Sequence, residues 1–268
     1  MSLAPLLKIE GLSVTYHGAA QPSLRNVSLQ LQEKQRLAII GESGSGKSTL
    51  ARCIAGLLPH GAKTDGRIVW NGHPDKSHKT RFPTPGRDIA YVFQDPSASL
   101  NPVLTIGEQV AEAAIRHLRL TRKQARTHAR DLLAEVQLPN PDALLSAYPH
   151  QISGGQRQRV AIAAAISAAP KILIADEATS ALDTITQAAI ARLLDRLVSA
   201  NGMTLIFITH EIALASSLAD EIAVFQSGRL VESGKAQDVL LNPASGDTKR
   251  LLSSHLDLTT PPLIRRAS

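Results

Sequence analysis

A chain of 268 residues, 43% hydrophobic and 19% charged, is ordinary for a globular protein and long enough for one large domain or two small ones with a buried core. Aromatic residues make up only 3%, which argues against an array of stacking platforms for single-stranded nucleic acid, and the net charge of +6 suits nucleic acid, anionic lipid or a plain surface without choosing among them. The single cysteine, Cys53, excludes an internal disulfide framework and any cysteine-rich metal or iron–sulfur site; on the apolar side of a helix it reads as a buried structural thiol.

No charged-then-apolar leader precedes the first strand-like segment, residues 6–14. Residues 6–40 read as short strands of a small antiparallel sheet, with turn signals at His17-Gly18 and at residues 32–34. The apolar run 36–40 reads as a buried strand, and residues 49–55 as the first turns of a helix. Between them, Gly41, Glu42, Ser43, Gly44, Ser45, Gly46, Lys47 and Ser48 fit the phosphate-cradling pattern G-x-x-x-x-G-K-[ST] in the strand–loop–helix setting it requires. The glycines let backbone N–H groups turn toward a polyphosphate, and the helix N-terminus adds a favourable dipole. Lys47 is expected to reach the β- and γ-phosphates, and the Ser48 hydroxyl to complete the coordination of Mg²⁺.

Residues 67–70 with the Asn71-Gly72 turn extend the antiparallel sheet as a hairpin; residues 73–86, rich in Lys, Pro and His, read as a surface loop, and 88–93 as another strand. From about residue 96 to 149 the pattern turns helical, and Thr121 to Gln124 is a capping box opening a helix that runs to about Val136. On that helix Arg122, Lys123, Arg126 and Arg130 share one arc, either a solvated basic face or a contact for anionic lipid or a partner. The longest run of small apolar residues, 160–169, is about half a membrane span and fits a buried helix, so the chain is expected to be cytoplasmic and not to cross a membrane. Apolar runs at 172–175 and 204–208, separated by a helical pattern at 186–199, argue for a parallel sheet with helices on both faces. Residues 220–225 and 229–232 around Ser227-Gly228 look like a closing hairpin, and from Asn242 onward a short helix and frayed tail follow.

Two further motifs carry chemistry. Asp176 and Glu177 lie at the C-terminal end of an apolar strand, the edge of an open parallel sheet where ligands bind. Asp176 can hold Mg²⁺, and Glu177 can polarise a water for attack on the γ-phosphate. Ser153, Gly154, Gly155 and Gln156, at the start of a helix, form a second anion-receptive nest. One nucleotide seldom needs two such sites, so this nest is expected to serve the nucleotide of a second subunit.

With these motifs in place, residues 6–235 resemble the ATP-binding subunit of an ABC transporter. The likeness runs through the phosphate loop, the signature at 153–156, the strand ending in Asp176 and Glu177, Gln94 as the glutamine-loop residue, Ser180 to Asp183 as a dimer-contact loop, His210 as the switch histidine, and Tyr16 where an aromatic ring meets adenine. The extended glutamine loop, 94–102, and residues 148–160 resemble the peptide and nickel importer branch. Ala178 stands where proline usually follows the glutamate.

The resemblance implies an α/β P-loop NTPase (RecA-like) fold with a mostly parallel sheet core, an antiparallel β subdomain and an inserted helical subdomain. It implies one ATPase domain over residues 1–235, with its helical insert at about 96–157, then an extension and tail over 236–268. It assigns Glu177, His210 and Gln94 to catalysis, and Ser48, Gln94 and Asp176 to Mg²⁺. Tyr16, the loop from Gly41 to Ser48 with Thr49, the signature residues and Asp183 fall to ATP. A head-to-tail pair of such subunits, identical or not, would bind two ATP at its interface and drive two membrane permease subunits fed by an extracytoplasmic binding protein. The subunit would sit on the cytoplasmic face of the membrane, powering uptake of peptides, nickel or metal–chelator complexes, with no nucleic acid expected. The alternatives are a subunit of an exporter, or a soluble ABC-type ATPase acting on nucleic acid.

Overall fold

The computed structural model describes residues 4–71, 73–74, 83–95, 99–179 and 183–255, which divide between two compact units, 1–83 with 204–268 and 84–203.

In the first unit, strands β1 (Leu7–Thr15), β2 (Leu24–Leu31), β4 (Lys63–Trp70) and β5 (His73–Pro74) form an antiparallel sheet in the order β2-β1-β4-β5. Alternation decides which face is buried: Leu24, Val27, Leu29 and Leu31 of β2 point inward while the residues between them face solvent. β4 begins at Lys63, well before the expected Arg67, because its first five residues are exposed and polar and carry no strand-like apolar signal.

The same unit holds β3 (Arg36–Gly41), β8 (Thr204–Ile208), β9 (Glu221–Gln226) and β10 (Arg229–Lys235). β3 runs parallel to both β8 and β9, and all five residues of β8 and the last five of β3 are buried, as strands covered on both faces require. β9 and β10 form the expected hairpin, in which Ser227 and Gly228 both take positive φ, 48° and 79°, as a tight type I′ turn demands. Helix α1 (Lys47–Ile54) follows the loop after β3, starting two residues before the expected Thr49.

In the second unit, β6 (Ile89–Val92) and β7 (Ile172–Asp176) pair in parallel, with Val92 opposite Ala175. Helices α2 (Ile106–Leu118), α3 (Arg122–Glu135), α4 (Pro141–Leu144), α5 (Gly154–Ile166) and α6 (Thr184–Asn201) make up most of the rest. α2, α3 and α5 each open with a reciprocal capping box, at Thr105/Glu108, Thr121/Gln124 and Ser153/Gln156. Each box satisfies two of the N–H groups a helix start leaves unpaired. On α3 the cations Arg122, Lys123, Arg126 and Arg130 are exposed, and Arg130 pairs with its neighbour Asp131 at 2.7 Å.

Back in the first unit, α7 (Ile212–Leu218) precedes β9, and α8 (Ala236–Leu241) and α9 (Gly246–His255) follow β10. Cys53 is half-buried on α1 rather than fully enclosed, because the helix turns its buried stripe through Leu50, Ala51 and Ile54. Among the described residues no helix is long and apolar enough to cross a membrane.

Candidate nucleotide site

The loop after β3 owes its shape to backbone that only glycine can supply. Gly46, the residue before α1, has φ 99°, and a Cβ there would lie 2.6 Å from the Ser23 carbonyl oxygen. Gly41 approaches β9 so closely that its Cβ would fall 2.1 Å from the Phe225 oxygen. Glu42, Ser43 and Gly44 at the tip are exposed, whereas Ser45 is buried and receives the Gly228 N–H on its backbone oxygen at 3.0 Å.

Lys47 folds back into this loop. Only 5% exposed, it donates from Nζ to the carbonyl oxygens of Gly41 at 2.8 Å and Glu42 at 2.7 Å. An ammonium held among oxygen dipoles, with backbone N–H groups and a helix start beside it, is poised for a polyphosphate. Ser48 is the second residue of α1 and half-buried. Thr49 Oγ1 lies 3.2 Å from the Tyr16 hydroxyl, so the loop's helix fixes the ring that flanks it.

His210 follows β8 and is exposed. The preceding residue, Thr209, donates its N–H to the Ile39 oxygen at 3.2 Å. That bond sets His210 at the edge where the phosphate loop leaves β3. Next to it, burial pushes the Glu211 carboxyl above its ordinary pKa against the opposing charge of His210.

The second unit holds the carboxylates. Asp176 ends β7 and is 4% exposed; its Oδ2 accepts a hydrogen bond from the Tyr91 hydroxyl at 2.6 Å. Glu177, the next residue, takes a left-handed backbone with φ 48°. A non-glycine residue held there stores strain of order 1 kcal/mol, as functional sites often do. Its Oε2 accepts from Gln94 Nε2 at 2.8 Å.

Ser153 caps α5: its Oγ accepts from the Gln156 N–H at 3.3 Å, and Gln156 Oε1 accepts from the Ser153 N–H at 2.9 Å. Gly154 has open space where a side chain would be, and Gly155 faces Thr186, whose Cγ2 would lie 3.1 Å from an added Cβ. Asp183 caps α6 by accepting from the Thr186 N–H at 3.0 Å and hydroxyl at 2.7 Å. Those bonds, the hydroxyl first, hold the Asp183 carboxyl below its ordinary pKa. The starts of α5 and α6 therefore meet at Gly155 and Thr186, with Asp183 clamping the latter. The rest of the expected dimer-contact loop, residues 180–182, lies outside the described residues.

The predicted residues thus cluster at helix starts and at or just past strand ends, and the structure joins Tyr16 to Thr49, Lys47 to Gly41 and Glu42, and Gln94 to Glu177. Sequence reasoning missed Tyr91, whose contact with Asp176 follows from the pairing of β6 with β7, and Thr186, whose place under Gly155 follows from helix packing.

The family model described as ABC transporter matches residues 24–180. The chain is 41% identical over 261 residues to the dipeptide transport ATP-binding protein DppD of Bacillus subtilis, covering 94% of this chain and 78% of that protein. It is 40% identical over 259 residues to the peptidoglycan transport ATP-binding protein YejF of Agrobacterium fabrum, covering 93% of this chain but 47% of that relative, about half its length. The solved dimeric post-hydrolysis state of the ATP-binding cassette MJ0796 bound to ADP and Pi superposes with a TM-score of 0.73 at 31% identity, covering 86% of this chain and 98% of that one.

Proposed function

The chain belongs to the ABC transporter family and has its α/β P-loop NTPase fold, and we propose that it is the ATP-hydrolysing subunit of an importer. The cargo range is peptides, nickel or metal–chelator complexes, and relatives named for dipeptide and oligopeptide transport favour its peptide end. The observation that carries the ATPase reading is the buried Lys47 ammonium closed inside the loop that follows β3.

Within this reading the N–H groups of Gly41, Glu42, Ser43, Gly44, Ser45 and Gly46, with Lys47, Ser48 and Thr49, bind the phosphates. The Tyr16 ring lies against adenine. Glu177 takes a proton from the attacking water as it adds to the γ-phosphorus and the bond to the β–γ bridging oxygen breaks; Gln94 aims the Glu177 carboxylate, and His210 contacts the γ-phosphate. Residues 153–156 and Asp183 serve the nucleotide of a second, homologous subunit, consistent with a cap geometry that leaves the Ser153 side chain exposed.

The residues also fit Mg²⁺. Ser48, Gln94 and Asp176 each offer a side-chain oxygen, the donor type that Mg²⁺ takes. Mg²⁺ is commonly held through only one or two carboxylates and completes its shell with phosphates and water. When bound, it neutralises charge developing on the phosphate oxygens.

We assign residues 1–235 to the ATPase domain, with its helical insert at about 96–157, and 236–268 to a C-terminal extension. The subunit works peripherally at the cytoplasmic face of the membrane, beneath two permease subunits supplied by a binding protein. Affinity purification of the full chain from detergent-solubilised cells tests this. Two polytopic membrane proteins and a second ATPase subunit are expected to co-purify; nucleic acid or ribosomes in their place would overturn the importer.

A further inference from the structure

We propose that Tyr91 is the positioning residue for Asp176, its hydroxyl fixing the plane of the carboxylate that holds the divalent cation. This rests on the reading of Asp176 as a ligand of Mg²⁺.

β6 and β7 run side by side in parallel, with Tyr91 opposite Ile174. Asp176 lies two residues further along β7 and so projects to the same face as Ile174. A long side chain at position 91 leaning along the strand reaches the carboxylate, and the Tyr91 hydroxyl donates to Oδ2 at 2.6 Å. That length falls in the range of charge-assisted O–H···O⁻ bonds. Phenylalanine or methionine would fill much the same space without a proton to donate.

The donor is itself held in place. The Tyr91 ring sits half-buried with its centroid 4.6 Å from that of Phe93. A carboxylate only 4% exposed has little water to orient it, so a fixed neutral donor decides where its lone pairs point. Neutrality matters as well: a lysine or arginine at position 91 would orient Asp176 but also offset the charge that attracts the cation. Losing the partner behind a ligand typically costs about 10–100-fold in metal affinity. Three residues on, Gln94 does for Glu177 what Tyr91 does for Asp176, so one strand end aims both acids.

The test compares wild type, Tyr91→Phe and Asp176→Asn as full chains, measuring the Kd for ATP in excess Mg²⁺ and again in EDTA. For Tyr91→Phe, the Kd in EDTA is expected to match wild type while the tightening on adding Mg²⁺ shrinks about tenfold or more. The Mg²⁺ concentration that half-saturates hydrolysis is expected to rise, and excess Mg²⁺ to recover much of the lost rate. A purely structural role would instead lower the melting temperature and the rate at every Mg²⁺ concentration, and that pattern would overturn the proposal. So would unchanged Mg²⁺ dependence in Tyr91→Phe beside a lost dependence in Asp176→Asn. If Asp176→Asn itself keeps the full Mg²⁺ effect, the assignment of the metal ligand fails, and with it the role given to Tyr91.

Discussion

Gln94 Nε2 donates to Glu177 Oε2 at 2.8 Å, tying the residue two positions past β6 to the one just past β7. Glu177 is held from two sides, by this bond and by its left-handed backbone. In the proposed mechanism Glu177 accepts a proton from water, and a carboxylate in that role gains from a fixed orientation, since misplacement of the reacting groups is costly. Replacing Gln94 by alanine is expected to slow steady-state hydrolysis by about tenfold to a hundredfold, with ATP affinity in EDTA preserved, as measured by phosphate release and nucleotide titration.

The loop after β3 makes a second test. Alanine at Gly46 would have to adopt φ 99° and place its Cβ 2.6 Å from the Ser23 oxygen and 2.8 Å from Leu24 Cδ2. Left-handed backbone and overpacking together are expected to cost about 2–5 kcal/mol in chemical denaturation. Gly44→Ala makes a sharp contrast: an added methyl there meets nothing within 4 Å, leaving only the cost of the backbone.

A carboxylate also fastens the C-terminal extension. Glu232 on β10 accepts from the N–H groups of Ala244 at 2.8 Å and Ser245 at 3.0 Å, just before α9. Burial pushes this carboxyl up, but hydrogen bonds from the 244–248 segment outweigh it and leave the pKa below its ordinary value. A depressed folded pKa stabilises above the unfolded value, about 4.3, and that stabilisation fades as pH falls below it. Glu232→Gln is therefore expected to lower the urea midpoint near pH 7, with the gap to wild type closing below about pH 4.

Ser153 separates the two halves of the proposed cleft. Its side chain is exposed at the start of α5, so arginine there should leave the fold and ATP binding to the same subunit intact. Hydrolysis, which in this reading needs the Ser153 of a partner, is expected to fall about a hundredfold. Loss of single-site binding in calorimetry would place Ser153 in the wrong role.

Much of this site is legible in the residues themselves, because phosphate chemistry dictates glycine, lysine and a hydroxyl at fixed spacing and leaves few other uses for that pattern. Asp176 and Glu177 stand out for a similar reason, as acids closing an apolar strand. Tyr91 does not stand out: a tyrosine in a strand is ordinary, and only the register that sets it opposite Ile174 reveals its reach. The exposed start of β4 was equally silent, since Lys63, Thr64 and Asp65 owe their strand to pairing with Thr15, Val14 and Ser13. The sequence setting of Asp183 points to a contact loop and hides that the residue also caps α6 through Thr186. Where chemistry constrains residue type, sequence speaks; where packing alone decides, it does not.

The decisive substitution is Glu177→Gln, which keeps the shape and the bond to Gln94 while removing the proposed base. Mg²⁺-ATP affinity is expected to stay within about threefold of wild type, turnover to drop by at least about a hundredfold, and a closed pair of subunits to accumulate in size-exclusion chromatography with ATP. Hydrolysis at the wild-type rate would show that Glu177 does not take the proton from the attacking water.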